Sequence, residues 1–199
     1  MKFNRLIQGL LTILIIQSCA TQKLTKEGNT AYQAGDYDAA LNAWEQAIEK
    51  YENKGKKAEA EIYYKAGMSA WKLEKPIKAR DYLETADYLE FSSPRLYTTL
   101  VKINKREDNI SKEMEALEDY HKKYPQGDSI NAITARLFET YVETEHWNEA
   151  VELWPEIKDQ AQSDADLLTG YLIVNKNLEN DTLCDKLAGL ILKLEPKNT

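Results

Sequence analysis

The chain has 199 residues, of which 43% are hydrophobic and 30% are charged, a balance typical of a folded globular protein and not of a disordered one. Only 8 glycines and 5 prolines are present, too few to punctuate the many strands of a β-sandwich or barrel. The formal net charge of −7 argues against a nucleic-acid-binding protein, because such proteins need a basic surface that displaces counterions from phosphates.

The first 18 residues have the layout of a secretory signal. Lys2 and Arg5 form a basic head, and an apolar stretch follows from Leu6 to Ile16. Crossing the hydrocarbon core of a bilayer takes roughly 20 residues, so this stretch predicts an export signal and not a permanent membrane anchor.

The end of this signal resembles a bacterial lipobox, with Ile16 and the small Ser18 placed before Cys19. The resemblance implies cleavage before Cys19, acylation of its thiol, and a protein anchored by lipid in the bacterial cell envelope, at the outer membrane facing the periplasm. Ordinary cleavage after Ala20 is the alternative, because Ser18 and Ala20 also satisfy a small-x-small rule, and it would release the protein.

A repeated pattern fills the rest of the chain. The segment from Gly28 to Ala40, followed by Trp44 and Ala47, returns at an offset of 39 residues as Gly67, Ala70, Trp71, Ala79, Leu83 and Ala86. The next three offsets are 34, 37 and 34, leading to Val101, Phe138 and Leu172. Each unit reads as two amphipathic helices joined by a turn, so ten helices are expected.

This pattern resembles the tetratricopeptide (TPR) family. The resemblance implies an all-α fold, a right-handed α-solenoid of about five TPR-like helix-turn-helix repeats. The predicted domains are a lipoprotein signal peptide over 1–18, a lipidated N-terminus and short tether over 19–23, and the solenoid over 24–198.

Several turn residues support the helix boundaries. Gly35 and Asp36 end one helix and start the next, while Pro76 and Pro94 each suit the first position of a helix. Pro155 lies inside an apolar run and is expected to bend or end its helix, because it removes one backbone hydrogen bond.

The last predicted helix carries Cys184, which we expect to pack as a small hydrophobic side chain. No evident polar cap follows it. Leu187, Leu190 and Leu194 would therefore mark a docking surface if they are exposed, since terminal repeats normally need a polar outer face.

In TPR proteins the first helix of each hairpin lines a concave groove where partners bind. The resemblance therefore implies a partner-binding surface that is aromatic at one end, basic at its centre and acidic at its far wall. Its predicted residues are Asn29, Tyr32, Gln33, Tyr64, Met68, Trp71, Lys72, Lys102, Lys105, Arg106, Glu139 and Glu143.

Simpler interpretations of these residues remain open. Tyr64 and Trp71 can be core aromatics between repeats, and the basic residues from Lys102 to Arg106 can be a solvated face. TPR proteins that hold a terminal carboxylate use a set of Lys, Asn and Arg side chains. Of that set only Asn29 is in place, with Thr25 where a Lys is needed, so that activity is not expected.

No phosphate-binding loop, nucleophile elbow or metal-binding motif occurs, and the two histidines, His121 and His146, fall in different repeats. We therefore expect no enzymatic activity, no cofactor and no metal. The sequence predicts a membrane-anchored scaffold that binds a peptide segment or partner helix of other envelope proteins. The alternative is an accessory lipoprotein that binds a solute or glycan near Tyr64 and Trp71.

Overall fold

The computed structural model describes residues 21–194, and all regular secondary structure within them is α-helical. The signal predicted over 1–18, the acylation site Cys19 and residues 195–198 of the predicted solenoid lie outside the described residues. Within 21–194, no helix combines the length and apolar character that crossing a membrane requires.

Ten helices occupy the described chain, the number expected from the repeat. Residues 21–23, which the sequence assigned to a tether, belong to the first of them. The helices are α1 (21–33), α2 (Tyr37–Glu52), α3 (Ala60–Lys72), α4 (Pro76–Tyr88), α5 (Pro94–Arg106), α6 (Ile110–Lys123), α7 (Ile130–Glu143), α8 (Trp147–Ala161), α9 (Ala165–Asn177) and α10 (Asp181–Leu194).

The chain divides into two compact units between Leu96 and Tyr97. Unit 1 holds the hairpins α1–α2 and α3–α4 together with the first residues of α5. Unit 2 holds the rest of α5 and the helices α6 to α10.

The helix starts follow the local signals in the sequence. The backbone N–H of Ala39 donates to Oδ1 of Asp36 at 3.0 Å, so Asp36 caps α2. Pro76 and Pro94 are the first residues of α4 and α5, which confirms both predicted starts. Pro155 does not end its helix: it lies at an exposed position of α8, which continues to Ala161.

Small residues allow close helix crossings in unit 1. A Cβ atom placed on Gly28 would lie 2.7 Å from the ring of Trp44, and one on Gly67 would lie 2.7 Å from Cγ of Leu83. Trp44 and Leu83 are both 0% exposed. Gly67 and Leu83 lie 39 residues after Gly28 and Trp44, so the same contact occurs in both repeats. This confirms the predicted register of the first two repeats.

Aromatic side chains fill the corresponding space in unit 2. Phe138 of α7 is fully buried, and its ring centroid lies 5.5 Å from that of Trp154 and 6.5 Å from that of Tyr171. Trp154 and Tyr171 stack on each other at 3.8 Å with nearly parallel planes. These rings join α7, α8 and α9, the helices of two successive repeats.

The last helix is covered only in part. Leu187 is 4% exposed and packs inward, whereas Leu190 and Leu194 are 47% and 41% exposed. Cys184 is half-buried with a free thiol, and its Sγ lies 3.8 Å from the carbonyl oxygen of Leu172. The condition stated for a docking surface, exposed leucines on α10, is therefore met by Leu190 and Leu194 and not by Leu187.

Candidate functional site

Four half-buried rings form two pairs in unit 1. Tyr32 at the end of α1 meets Tyr37 edge to face, with centroids 5.3 Å apart. Tyr64 of α3 stacks on Phe91, which follows α4, with centroids 4.4 Å apart. These four residues are called the aromatic cluster below. Its rings are neither core nor fully solvated, so a partner could bury more of their surface.

The electrostatics of Tyr32 connect the two ring pairs. Burial raises the pKa of the Tyr32 hydroxyl, the cation of Arg95 at the start of α5 opposes this rise, and the hydroxyls of Tyr37 and Tyr64 add to it. Because its pKa is raised above the ordinary tyrosine value, Tyr32 stays protonated at neutral pH and can donate a hydrogen bond.

A polar pair links α1 and α3, the helices that carry Tyr32 and Tyr64. The Lys65 ammonium donates to Oδ1 of Asn29 at 2.8 Å, pairs with Glu61 at 2.8 Å and lies 5.5 Å from the ring centroid of Trp44. Within residues 21–194, the Nδ2 group of Asn29 forms no hydrogen bond. That group is therefore able to donate to a peptide carbonyl.

The remaining predicted residues of unit 1 differ in exposure. Gln33 and Lys72 are exposed, and the Lys72 ammonium lies 5.9 Å from the ring centroid of Tyr37. Trp71 is half-buried and makes no ring pair in the described part of the chain. The prediction that Met68 lies on the binding surface is wrong. Residues 66–70 of α3 are all buried, and Met68 itself is 2% exposed, so it belongs to the core.

The predicted basic positions lie on α5 in unit 2. Lys102, Lys105 and Arg106 are all exposed, and none of them forms an ion pair with another described residue. This placement fits a partner-binding surface and a solvated face equally well.

The predicted acidic wall is not a set of open carboxylates, because Arg136 of α7 already binds it. One guanidinium nitrogen lies 3.0 Å from Glu139 and 2.8 Å from Glu143, since residues three and seven apart share a helix face. Arg136 also forms a two-pronged pair with Glu113 of α6, at 2.7 and 3.0 Å.

Burial makes this ion-pair network a structural element of unit 2. The side chain of Glu113 is 3% exposed and that of Arg136 is 18% exposed. Hydrogen bonding to Glu113, opposed by burial and reinforced by Glu143 and Glu139, raises the pKa of Arg136 above its ordinary value. The Arg136–Glu113 pair joins α7 to α6, and Glu139 and Glu143, on the same helix as Arg136, hold its guanidinium in place.

Sequence reasoning missed Lys65, Phe91, Arg95 and Arg136. Phe91 lies between helices, where helical periodicity gives no signal. The partners of Lys65 and Arg136 are 36 and 23 residues away in sequence, at Asn29 and Glu113. Of these contacts, only the Glu61–Lys65 ion pair, whose residues are one helical turn apart, could be inferred from the sequence spacing.

The histidines are placed in separate contacts. His121 Nε2 lies 2.8 Å from Glu156, and His146 Nδ1 lies 2.8 Å from the hydroxyl of Thr144. Among residues 21–194, no group of three or more His, Cys, Asp or Glu side chains is arranged to hold a metal ion.

No protein-family model matches the chain, and no curated protein matches it. Solved structures do match it over most of its length. YrrB, described as a TPR protein with an unusual peptide-binding site, is 15% identical with a TM-score of 0.58, over 86% of this chain and 84% of that chain. MamA is 17% identical with a TM-score of 0.54, over 89% and 93%. A MamA AMB-1 structure is 13% identical with a TM-score of 0.60, over 93% and 94%.

Identities this low establish the fold alone. Together with the ten helices, they show that the chain has the all-α, TPR-like helical solenoid fold, as the sequence predicted.

Proposed function

We propose that this protein is a non-enzymatic scaffold of the bacterial cell envelope, anchored to a membrane through Cys19, that binds a peptide segment or helix of another envelope protein. The observation that carries the proposal is the aromatic cluster of unit 1, together with the Asn29–Lys65 pair on the same helices, α1 and α3.

This arrangement suits a peptide chemically. The half-buried rings can cover apolar side chains of a partner, and each ring would bring a large contact area. The Nδ2 group of Asn29 and the hydroxyl of Tyr32 can donate to backbone carbonyls, while the cation of the exposed Lys72 favours an acidic residue in the same segment. YrrB, which shares the fold, is described as having a peptide-binding site, and this supports the proposal.

The anchor rests on the sequence around the acylation site. A basic head, an apolar stretch too short to span a bilayer, and Ser18 before Cys19 together support lipid attachment. The several acyl chains of a lipoprotein would hold the protein durably, whereas one chain binds only marginally. We place it at the outer membrane, facing the periplasm.

Binding of a glycan or small solute is the second candidate. Half-buried Trp71, which has no ring partner in the described chain, could stack on a sugar. Tyr64 is less suited to this role, because Phe91 covers one of its faces at 4.4 Å. Peptide binding is therefore favoured.

Site-specific photo-crosslinking in cells tests the binding surface. A benzophenone amino acid is placed in the full chain at Gln33, which is exposed beside the aromatic cluster, or at Tyr88, which is 75% exposed on α4. We expect a defined envelope protein to be crosslinked from position 33 only. Tyr32→Ala should abolish that product, and the matched control Tyr88→Ala should leave it unchanged, provided that circular dichroism shows both variants to be folded. Equal products from both positions would refute the proposed surface.

A separate measurement tests the anchor. Metabolic labelling with a radioactive fatty acid should mark the native chain and not Cys19→Ser, and fractionation should move the variant away from the membrane. Unlabelled native protein in the soluble fraction would refute the anchor while leaving the crosslinking result intact.

A further inference from the structure

A cleft of about 580 Å³ lies near the start of the described chain in unit 1. It is formed by α1, the end of α2 and the start of α3, and Thr21 reaches its wall. The polar groups that matter for its chemistry belong to Lys26, Tyr51, Lys54 and Lys56.

The turn after α2 places two of these lysines. Gly55 has a φ of +66°, its N–H donates to the carbonyl of Glu52 at 2.8 Å, and the N–H of Lys56 donates to the carbonyl of Tyr51 at 3.1 Å. This pair of bonds is a Schellman motif with glycine in the left-handed position. Lys54 and Lys56 are thereby fixed by the backbone on either side of Gly55, at the mouth of the cleft.

The cleft is locally positive in an acidic protein. Lys26, Lys54 and Lys56 contribute three cations, and Glu59 is the one acidic residue among the described residues that line it. None of the three lysines forms an ion pair within residues 21–194. The whole chain carries a net charge of −7, whereas these three unpaired cations line one cleft, and this concentration of positive charge favours an anionic ligand.

A neutral donor completes the chemistry. The hydroxyl of Tyr51 makes no hydrogen bond in the described chain and can donate to an anion's oxygens. Three ammonium groups with a hydroxyl donor suit a phosphate group, which offers several strong acceptor oxygens.

We propose that this cleft binds the phosphate group of an anionic phospholipid headgroup. The lipid source rests on the proposed anchor: Thr21 lies two residues after Cys19, and two residues span at most about 7 Å of extended chain. An acylated Cys19 would hold the cleft at the membrane surface, where anionic headgroups are concentrated. The cleft would then set the orientation in which the scaffold stands on the membrane.

Lysine acylation followed by mass spectrometry tests the site in the full chain. The lysines are acylated in three separate samples. One contains phosphatidylcholine vesicles, one contains vesicles that also include phosphatidylglycerol, and one contains inorganic phosphate in solution. We expect phosphatidylglycerol to slow labelling of Lys26, Lys54 and Lys56 several-fold beyond phosphatidylcholine, while the exposed Lys122, Lys158 and Lys176 label at an unchanged rate. High salt should weaken the protection, because the ligand contacts are electrostatic.

Charge-matched variants make the test specific. Each lysine near an anionic leaflet strengthens binding roughly fivefold. The triple variant Lys26→Gln/Lys54→Gln/Lys56→Gln should therefore show a gain in vesicle partitioning from phosphatidylglycerol that is about a hundredfold smaller. The control Lys122→Gln/Lys158→Gln/Lys176→Gln removes the same charge and should retain the gain. Both variants keep the same N-terminus, so the apolar signal segment cannot account for a difference.

The outcomes separate the ligand source from the anchor. Protection by inorganic phosphate as well as by phosphatidylglycerol vesicles supports recognition of the phosphate itself, and protection by inorganic phosphate alone overturns the headgroup assignment. No selective protection, or equal loss in both triple variants, overturns the site. Loss of fatty-acid labelling at Cys19 with selective protection intact would refute the anchor and not the cleft.

Discussion

Gly28 and Gly67 show how single residues control the distance between helices. Each lies in the first helix of its hairpin and faces a large side chain of the second, Trp44 or Leu83. A Cβ at Gly67 would also lie 3.1 Å from the backbone carbonyl oxygen of Ala79, which cannot rotate away as a side chain can. Glycine is therefore required at this crossing for reasons of space, since its backbone is ordinary helix.

Gly67→Ala should destabilise the protein by about 1–3 kcal/mol, the usual cost of overpacking a well-filled core. Gly189→Ala is the matched control, because a Cβ there meets no atom within 4 Å and the residue lies inside α10. That change should stabilise the fold by up to about 1 kcal/mol through helix propensity. Urea unfolding followed by circular dichroism measures both, and a neutral Gly67→Ala would show that α3 and α4 can move apart.

The helix ends of the five hairpins share one backbone geometry. The second residue after each first helix has a positive φ: Gly35, Glu74, Asp108, Glu145 and Glu179. These positions are separated by 39, 34, 37 and 34 residues, the same offsets that the sequence pattern gave for successive repeats. At each site the next residue donates its N–H to a carbonyl five residues earlier, as in His146 to Tyr141 at 2.8 Å. In four of the five hairpins, an acidic residue therefore adopts the left-handed backbone conformation in which glycine is least strained.

Glu145→Gly should therefore stabilise the protein by about 1 kcal/mol, because L-residues other than glycine are strained in the left-handed region. Glu152→Gly serves as the control: it removes an exposed Glu from the regular part of α8 and should cost about 1 kcal/mol. Thermal and urea unfolding of the two variants should shift in opposite directions. If both variants are equally destabilised, the contacts of the Glu145 side chain stabilise the fold by more than its backbone strain costs.

Across the whole molecule, local signals were readable from the sequence and long-range pairings were not. Pro76, Pro94 and the repeat spacing act through neighbouring backbone, so they predicted helix starts and register correctly. The contacts of Arg136 with Glu113 depend on how α6 packs on α7, which composition and periodicity do not encode. Met68 was placed on the binding surface because the TPR resemblance implies a groove along the first helices, whereas residues 66–70 of α3 are buried on all sides of the helix.

Unit 2 has an uneven distribution of buried side chains. Seven residues of α7 are buried, including Phe138, whereas α10 buries Leu187 alone and leaves Leu190, Leu192 and Leu194 substantially exposed. Burial of apolar surface is the main source of helix stability in a repeat array, and each helix is stabilised mostly by its immediate neighbours. The two helices should therefore open with different free energies.

Hydrogen exchange of the full chain, followed by mass spectrometry of its peptides, measures that difference. We expect the amides of α10 to exchange fastest among the helices of unit 2 and those of α7 to exchange slowest, because local opening of α10 exposes little additional apolar surface. Leu187→Ala should accelerate exchange in α10 and leave α7 unchanged, since Leu187 is the one buried side chain of α10. If α10 is instead protected as strongly as α7, its leucines must be covered in solution by a surface that these ten helices do not supply.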